Sequence, residues 1–221
     1  MYAKYIKRPL DFMLSLIAII ILSPLLLIVA ILVRIKLGKP VIFKQQRPGK
    51  NEKIFTLYKF RTMTDKKDEN GNLLPDEQRL TKFGKALRST SLDELPELIN
   101  ILKGDMAIVG PRPQLIKDML FMTKEQRRRH EVRQGLTGLA QVNGRNNITW
   151  ENKFDYDLLY IDNISFLTDC KIILQTVGKV FRREDTVREG TESDMDLGDY
   201  LLKEKKITEE EYDKIIESLA K

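Results

Sequence analysis

The sequence contains few of the residues on which most enzymes and metal proteins rely. Its single cysteine, Cys170, cannot form an intramolecular disulfide or supply a cysteine-rich zinc site. Its single histidine, His130, makes a histidine-based triad or a multi-histidine metal site a poor expectation. Neither G-x-x-x-x-G-K-[ST] nor G-x-G-x-x-G occurs, so the two common glycine-rich phosphate loops are absent. Any chemistry therefore rests on carboxylates, lysines, arginines and hydroxyl groups.

Composition indicates a folded, basic protein. The 221 residues are 42% hydrophobic and 32% charged, with a formal net charge of +6. This balance excludes a disordered chain, and the length suits one domain, or one domain with a small appendage. A positive charge fits nucleic acid, an anionic membrane surface or a phosphorylated substrate, and does not choose among them.

A long apolar run lies near the start of the chain. No charged residue occurs from position 12 to position 33. A helix of that length extends about 33 Å, enough to cross a hydrocarbon core of roughly 30 Å. Ser23-Pro24 lies near the midpoint, where proline removes a backbone donor and kinks or breaks a helix. The Ser23 hydroxyl is a local partner for a carbonyl freed in this way.

Basic residues flank the run on both sides, namely Lys4, Lys7 and Arg8 before it and Arg34, Lys36, Lys39, Lys44 and Arg47 after it. Because cytoplasmic segments collect Lys and Arg, both ends are expected on the cytoplasmic face. We therefore predict a re-entrant helix, broken at Ser23 and Pro24, with halves of about 17 Å that dip into one leaflet. A single-pass anchor with a kinked helix is the main alternative. A buried core helix is a weaker one, since no face of the run is polar.

The sequence after the apolar run predicts an α+β, mostly helical fold. Residues 41–43 and 53–60 are rich in β-branched and aromatic residues and flank a turn at 47–51, which indicates a β-hairpin. A polar loop over 65–76 follows. Helices are expected over about 78–88, 92–103, 114–130 and 151–182. After an acidic linker, Thr208 and Glu211 form a capping box for a short amphipathic helix, paired with residues of about 196–205, whose apolar residues are Tyr212, Ile215, Ile216 and Leu219.

The tetrad Ser91-Leu92-Asp93-Glu94 has a structural and a chemical interpretation. S-x-x-E matches a capping box, with Ser91 as N-cap and Glu94 at the third helical position. Pro96 would then remove a backbone donor that the helix needs, so the first turn is irregular or the helix begins later. Two adjacent carboxylates at a helix start stay ionised, and an ionised carboxylate serves as a nucleophile or a magnesium ligand. Successive residues point about 100° apart on a helix, so different roles are expected for Asp93 and Glu94.

Several cations surround this tetrad in motifs rich in glycine and proline, and we predict that they bind phosphate: Lys59, Arg61, Arg88, Arg112 and Arg145. Arg112 stands between two prolines, which restrict the backbone and orient the side chain. His130 follows three arginines, and we interpret it as a polar residue on a basic helix face. The arginine run is expected to lie at a membrane surface or beside a bound nucleotide. It is not expected to bind DNA, because no nucleic-acid-binding signature accompanies it.

These motifs together resemble those of the bacterial sugar transferases, the monotopic phosphoglycosyl transferases. The resemblance runs from about Lys7 to Phe181. It is carried by the segment with Ser23-Pro24 and by F-K-Q-Q-R-P-G at 43–49, K-F-R-T-M at 59–63, residues 88–94, K-G-D-M at 103–106, V-G-P-R-P at 109–113 and G-L-T-G-L-A-Q-V-N-G-R at 135–145. Gln134 stands where proline is common, and the residues after Phe181 depart from the usual short tail.

The resemblance implies an enzyme that moves a sugar-1-phosphate from a UDP-sugar to undecaprenyl phosphate with Mg²⁺. By position, Asp93 matches the nucleophile and a metal ligand, and Glu94 its acidic partner. Arg88 matches a residue near the polyprenyl phosphate, and Lys59 and Arg112 support the acidic pair and the nucleotide. Asp157 and Asp169 match acidic positions of the C-terminal helix, and the resemblance implies that they belong to the substrate-binding residues.

The implied organisation is a re-entrant membrane segment (1–38), a catalytic domain (39–183), and a linker with a C-terminal amphipathic helix (184–221). Amphipathic helices lie at the membrane interface, and the site faces the cytoplasm from the bacterial inner membrane. The implied partners are the donor, the polyprenyl phosphate and membrane lipid, without nucleic acid. The sugar is expected to be of the N,N′-diacetylbacillosamine type. A membrane-surface binding module and a Mg²⁺-dependent nuclease or phosphatase stay open as alternatives; neither requires the whole set of motifs.

Overall fold

The computed structural model describes residues 1–144, 148–182 and 195–217. Within these ranges the chain is mostly helical, with two small sheets of two strands each. The predicted α+β, mostly helical class is confirmed.

The apolar run forms one long helix. A π-helical turn, Tyr2–Ile6, leads into α1, Lys7–Lys36, and Pro24 lies inside α1. The Ser23 hydroxyl donates a 2.8 Å hydrogen bond to the Ile20 carbonyl, the acceptor that Pro24 leaves without its backbone donor. The expectation for the Ser23 hydroxyl is therefore confirmed. The predicted break at Ser23 and Pro24 is wrong, because the helix continues through the proline as a single element with the serine as the donor to this carbonyl.

One face of α1 packs on the rest of the protein along nearly the whole helix. This domain-facing stripe recurs at helical spacing and consists of Asp11, Ser15, Ala18, Ile19, Leu22, Leu25, Leu26, Val29, Ala30 and Val33. Its apolar members contact two core clusters, one containing Leu98 and Ile101 and the other Phe60 and Leu87. The outer face of α1 is apolar and exposed, and includes Phe12, Met13, Ile17, Ile20, Ile21, Leu27, Ile28, Ile31 and Ile35.

The predicted hairpin is present, with a different turn. Strands β1, Ile42–Pro48, and β2, Ile54–Phe60, pair antiparallel from Ile42 opposite Phe60 to Pro48 opposite Ile54. The expected turn at 47–51 lies about two residues later than predicted, because β1 extends through Pro48. The chain reverses instead through a 3₁₀ turn, Lys50–Glu52, closed by a Gly49 N–H bond to the Lys53 carbonyl.

Shorter helices replace the two predicted over 78–103. After the polar loop come α2, Asp76–Arg79, and α3, Lys82–Ser89. A 3₁₀ turn, Leu92–Glu94, precedes α4, Glu97–Lys103, whose N-cap is Pro96. The expectation that Pro96 delays the helix is confirmed.

A parallel strand pair, which the sequence did not predict, organises the centre. Strands β3, Met106–Val109, and β4, Gln134–Thr137, pair in parallel. The expected helix over 114–130 is wrong as a single element. The chain forms α5, Ile116–Leu120, α6, Lys124–Arg127, and a 3₁₀ turn, Arg128–His130.

The expected helix over 151–182 is likewise divided. After α7, Leu139–Val142, come α8, Trp150–Asp162, and α9, Phe166–Arg182. The C-terminal part contains α10, Leu197–Lys203, and α11, Glu209–Glu217. Its capping box is confirmed, with reciprocal bonds between Thr208 and Glu211. Leu219 and the centre of the predicted linker lie outside the described residues.

Candidate active site

The Asp93–Glu94 pair lies in the irregular connection between α3 and α4. Ser91 adopts a left-handed conformation (φ 55°) and makes no side-chain cap bond, so the capping-box interpretation of Ser91 and Glu94 is wrong. The following 3₁₀ turn carries both carboxylates. Glu94 is thereby available to cations from other elements.

Two cations bind Glu94. Its Oε1 atom accepts hydrogen bonds from Lys59 Nζ of β2 at 2.8 Å and from Arg112 Nη2 at 2.7 Å. Burial alone would raise the pKa of Glu94, but the positive charges of Arg112 and Lys59 hold that pKa well below its usual range. Glu94 is therefore anionic at neutral pH, and the sequence-based grouping of Glu94 with Lys59 and Arg112 matches the geometry.

Asp93 has the opposite electrostatic environment. Asp93 is 8% exposed. Within the described part of the chain, no side chain or backbone group donates a hydrogen bond to its carboxylate. Burial, followed by the negative charge of Glu94, raises the pKa of Asp93 to about 6, against the opposing charges of Lys59, Arg88 and Arg112. Asp93 is thus a carboxylate whose charge is not matched by a bonded partner.

A third carboxylate, Glu97, belongs to the cluster and was missed by the sequence reasoning. It is 2% exposed and lies 3.1 Å from Lys59 Nζ, in the first turn of α4. Burial, followed by the negative charge of Glu94, raises the pKa of Glu97 to about 7 against the opposing charge of Lys59. Burial alone would lower the pKa of Lys59, but Glu94 and Glu97 raise it, so the lysine stays charged. The sequence signal that could have identified Glu97 was its position three residues after Glu94.

The other predicted phosphate-binding cations differ in placement. Arg88 of α3 donates from Nε to Thr62 Oγ1 at 3.2 Å, and its charge acts on Asp93. Arg61 is directed to backbone carbonyls, with Nε 2.7 Å from the Met63 oxygen and Nη1 2.6 Å from the Lys39 oxygen. Arg61 also forms an ion pair with Asp65. Together these contacts hold the backbone of a loop in place. Arg145 lies outside the described residues.

Arg112 belongs to the segment 110–113 after β3, here named the Arg112 turn, and close backbone packing supports it. Gly110 follows β3, and a Cβ built on it would lie 2.4 Å from the Arg133 carbonyl oxygen. A Cβ on Gly138 would lie 2.1 Å from the Gly110 oxygen. Only glycine permits these approaches, so the turn before Arg112 is fixed against the β4 region.

Asp157 supports the Arg112 turn through Arg129. It is 3% exposed and accepts bonds from Arg129 Nε and Nη2 at 2.9 and 2.7 Å. Arg129 Nη2 also donates to the Arg112 carbonyl at 2.7 Å. The structure therefore connects Asp157 to the cluster through Arg129 and the backbone of Arg112.

Asp169 joins α1 to the rest of the protein. Its carboxylate accepts bonds from Lys7 Nζ at 2.5 Å, the Tyr2 hydroxyl at 2.7 Å and the Tyr160 hydroxyl at 2.8 Å. Asp11 of α1 adds a bond from the Ile108 N–H. These contacts place Asp169 in a structural network rather than beside Asp93 and Glu94.

The interpretation of His130 as a polar residue on a basic helix face is wrong, because it lies buried in a 3₁₀ turn. His130 is 2% exposed, and burial, followed by the charge of Arg129, lowers its pKa to about 4. Arg129 is also buried, whereas Arg128 bridges Glu125 and Asp162 at the surface. Of the arginine run, Arg129 is thus part of the core beneath Arg112.

A magnesium ion would have to be held mainly by its substrate. Among the described residues there is no group of three or more His, Cys, Asp or Glu side chains arranged for a metal. Mg²⁺ commonly binds through one or two carboxylates together with substrate phosphates and water. Asp93, with its unmatched carboxylate, fits this arrangement, whereas Oε1 of Glu94 already accepts two cationic donors.

Comparison with known proteins gives consistent matches. A family model described as "Bacterial sugar transferase" matches residues 2–183. The "Uncharacterized sugar transferase EpsL" of Bacillus subtilis (strain 168) is 53% identical over 179 residues, covering 81% of this chain and 89% of that protein.

Two relatives that are named for a reaction are longer than this chain. The "UDP-glucose:undecaprenyl-phosphate glucose-1-phosphate transferase" of Klebsiella pneumoniae is 42% identical over 185 residues, covering 79% of this chain. The protein of the same name from Escherichia coli (strain K12) is 38% identical over 190 residues, covering 80% of this chain. This chain spans 40% of the length of each.

Proposed function

Because the chain belongs to the bacterial sugar transferases, we propose that it moves a sugar-1-phosphate from a UDP-sugar to undecaprenyl phosphate and releases UMP. The proposal is supported by relatives named for this reaction with glucose or N-acetylgalactosamine. The observation that carries it is the pair of adjacent carboxylates: Glu94 bonded to Lys59 and Arg112, and Asp93 buried near the same cations without a bonded donor among the described residues.

In the first step, a carboxylate oxygen of Asp93 attacks the β-phosphorus of the UDP-sugar. A bond forms between that oxygen and phosphorus, and the bond from phosphorus to the bridging oxygen breaks. UMP leaves with the electron pair, and Asp93 carries the sugar phosphate as a mixed anhydride. Arg88 and Arg112 lie where their charges oppose repulsion between the carboxylate and the diphosphate.

In the second step, an oxygen of undecaprenyl phosphate attacks the same phosphorus. The bond to the Asp93 oxygen breaks, the carboxylate is restored, and the lipid leaves as a diphosphate-linked sugar. Two successive displacements give ping-pong kinetics. Glu94, kept anionic by its two cations, holds Lys59 and Arg112 in place, and these two cations orient the acceptor phosphate.

Mg²⁺, when bound, would neutralise phosphate charge and make phosphorus easier to attack. Asp93 is the residue of this chain that would contact it. For the sugar, we propose the N,N′-diacetylbacillosamine type. A panel of UDP-sugars that includes UDP-glucose and UDP-N-acetylgalactosamine tests this choice by UMP release.

We propose that α1 is embedded in one leaflet as a re-entrant helix. Within the described ranges one helical stretch, Tyr2–Lys36, is long and apolar enough to cross a membrane. A helix that crossed the bilayer alone would have lipid on all its sides, but the domain-facing stripe extends from Asp11 to Val33. The apolar outer face suits lipid, and the basic flanks suit the cytoplasmic side of the bacterial inner membrane. In this arrangement the site faces the cytoplasm beside the acceptor lipid, with amphipathic helices such as α9 at the interface.

The decisive experiment supplies the donor without the acceptor. Purified protein with Mg²⁺ and the UDP-sugar panel should release one equivalent of UMP, with a sugar-phosphate mass added to the peptide containing Asp93. Undecaprenyl phosphate should then discharge the adduct and permit turnover. A membrane-surface binding module would release no UMP, and a nuclease or phosphatase would hydrolyse substrates without any need for the lipid.

A further inference from the structure

The C-terminal residues 195–217, here named the docked segment, lie beyond the range 2–183 that the family model matches. They are nevertheless packed into the domain. Leu197 is 2% exposed and packs in one cluster with Met122, Trp150 and Phe154. Trp150 Nε1 donates to the Met195 carbonyl at 3.1 Å. The segment therefore begins inside the protein core.

Polar and aromatic contacts fix the docked segment in one orientation. The Tyr200 hydroxyl and Lys206 Nζ both donate to the Glu151 carboxylate, at 2.7 and 2.5 Å. The rings of Phe121 and Tyr212 stack with centroids 5.4 Å apart. Gly198 is held so closely that a Cβ on it would lie 2.6 Å from the Phe121 ring. This fit is more specific than a surface appendage requires.

Asp118 links the docked segment to the Arg112 turn. Its carboxylate is 2% exposed, and Oδ1 accepts the Leu197 N–H at 2.9 Å. Oδ2 of the same carboxylate accepts the Leu115 N–H at 2.9 Å. Leu115 lies three residues after Arg112, which binds Glu94. One buried carboxylate thus joins the start of α10 to the chain just beyond Arg112.

Phe154 provides a second link. It packs with Leu197 on one side, and the Arg129 guanidinium lies 6.0 Å from its ring centroid. Arg129 donates to the Arg112 carbonyl. The docked segment therefore supports Arg112 through the backbone on both sides of its turn.

We propose that the docked segment is a positioning element for Arg112, with Leu197, Asp118 and Phe154 as its positioning residues. The proposal rests on the proposed function for its kinetic effect. Arg112 is 40% exposed at its side chain and has to be held where it contacts both Glu94 and the donor diphosphate. When the backbone on both sides of Arg112 is fixed, the Arg112 side chain moves less, although no group of the docked segment enters the site.

The test uses full-length protein with Leu197→Asp, which puts a charge into the apolar cluster and releases the segment. Lys203→Asp is the matched control, because it introduces the same side chain at an exposed position of the same helix. Hydrogen exchange should accelerate in the peptide covering Pro111–Asp118 and stay unchanged in β2 and α4. Faster exchange throughout would indicate general destabilisation and overturn the proposal. Gly198→Leu releases the segment by a clash and replaces Leu197→Asp if that variant does not fold.

Kinetics separate positioning from stability. Leu197→Asp should lower kcat/KM for UMP release by about tenfold to a hundredfold, and Lys203→Asp should leave it unchanged. In an Arg112→Ala background, Leu197→Asp should cost less than about twofold, because the residue it positions is gone. An equal loss in both backgrounds would overturn the proposal. Absence of UMP release from the unaltered protein would instead overturn the proposed function, while the exchange measurement would still decide whether the segment fixes the turn.

Discussion

At the residue scale, the site separates two adjacent carboxylates by their surroundings. Glu94 accepts two charged donors, whereas Asp93 is buried without a bonded donor in the described chain. The same cluster therefore keeps one acid ionised as a structural anion and leaves the other to react. Different roles were predicted from the 100° spacing alone, and the structure supplies the physical difference.

Asp93→Asn should abolish turnover and leave membrane insertion intact. The amide keeps the shape of the side chain but has no anionic oxygen to attack phosphorus or bind magnesium. Intact mass after incubation with the donor should show no adduct. Glu94→Gln, the matched variant one residue away, should be severely impaired while still forming some adduct. Near-normal turnover of Asp93→Asn would contradict the mechanism.

The first step should also depend on the protonation of Asp93. Because the pKa of Asp93 is raised to about 6 in the free protein and its deprotonated form is the nucleophile, UMP release at subsaturating donor, which reports the free enzyme, should be constant above about pH 7. Below pH 6 the rate should fall about tenfold per unit, since the ionised fraction falls by that factor. Single-turnover UMP release between pH 4.5 and 8 measures this, and a flat profile down to pH 5 would show that another group carries the step.

Arg112→Ala should cost far more activity than Arg128→Ala. Removing Arg112 takes away a direct donor to Glu94 and a charge beside Asp93, which corresponds to a loss of about a hundredfold or more. Arg128 bridges two exposed carboxylates, where a variant typically changes stability by less than about 0.5 kcal/mol. Turnover of both purified variants decides the matter, and equal losses would mean that the phosphate-binding cations have been misidentified.

At the element scale, local signals were predictable and long-range pairing was not. The hairpin, the Thr208 cap and the delayed start of α4 each depend on a few adjacent residues. Strands β3 and β4 have four residues each, and neither has an alternating pattern, because both are buried in the centre. Their partners are some 28 positions apart, as in Met106 opposite Gln134. Glu97 was missed for a related reason, since it joins the site through Lys59 of a distant strand.

The Ser23–Pro24 pair gives an element-scale prediction. Ser23→Ala should destabilise the protein by about 1 kcal/mol, because the Ile20 carbonyl loses its donor. Adding Pro24→Ala should recover that loss, since alanine restores the backbone N–H that bonds this carbonyl in a regular helix. Thermal unfolding in detergent compares the two variants. Additive losses in the double variant would show that the serine acts through another contact.

At the scale of the whole molecule, both ends of α1 are expected on one side of the membrane. Cysteines placed at Lys4 and Lys39, in a Cys170→Ser background, should react with an impermeant reagent from the cytoplasmic side only. Labelling from opposite sides would contradict the re-entrant arrangement. Pro24→Ala should favour a straighter helix and place part of the population across the membrane.

The packing of α1 also has a consequence for how the protein is made. Leu22 contacts a cluster built around Leu98 and Ile101, which follow it by 76 and 79 positions. At a synthesis rate of about 5–20 residues per second, the helix waits roughly 4 to 16 s for these partners after it is translated. During that interval its domain-facing stripe and its outer face are both uncovered. With α1 in the bilayer, as proposed above, lipid would cover both surfaces during this interval, and the domain would complete its core on a helix that is already inserted.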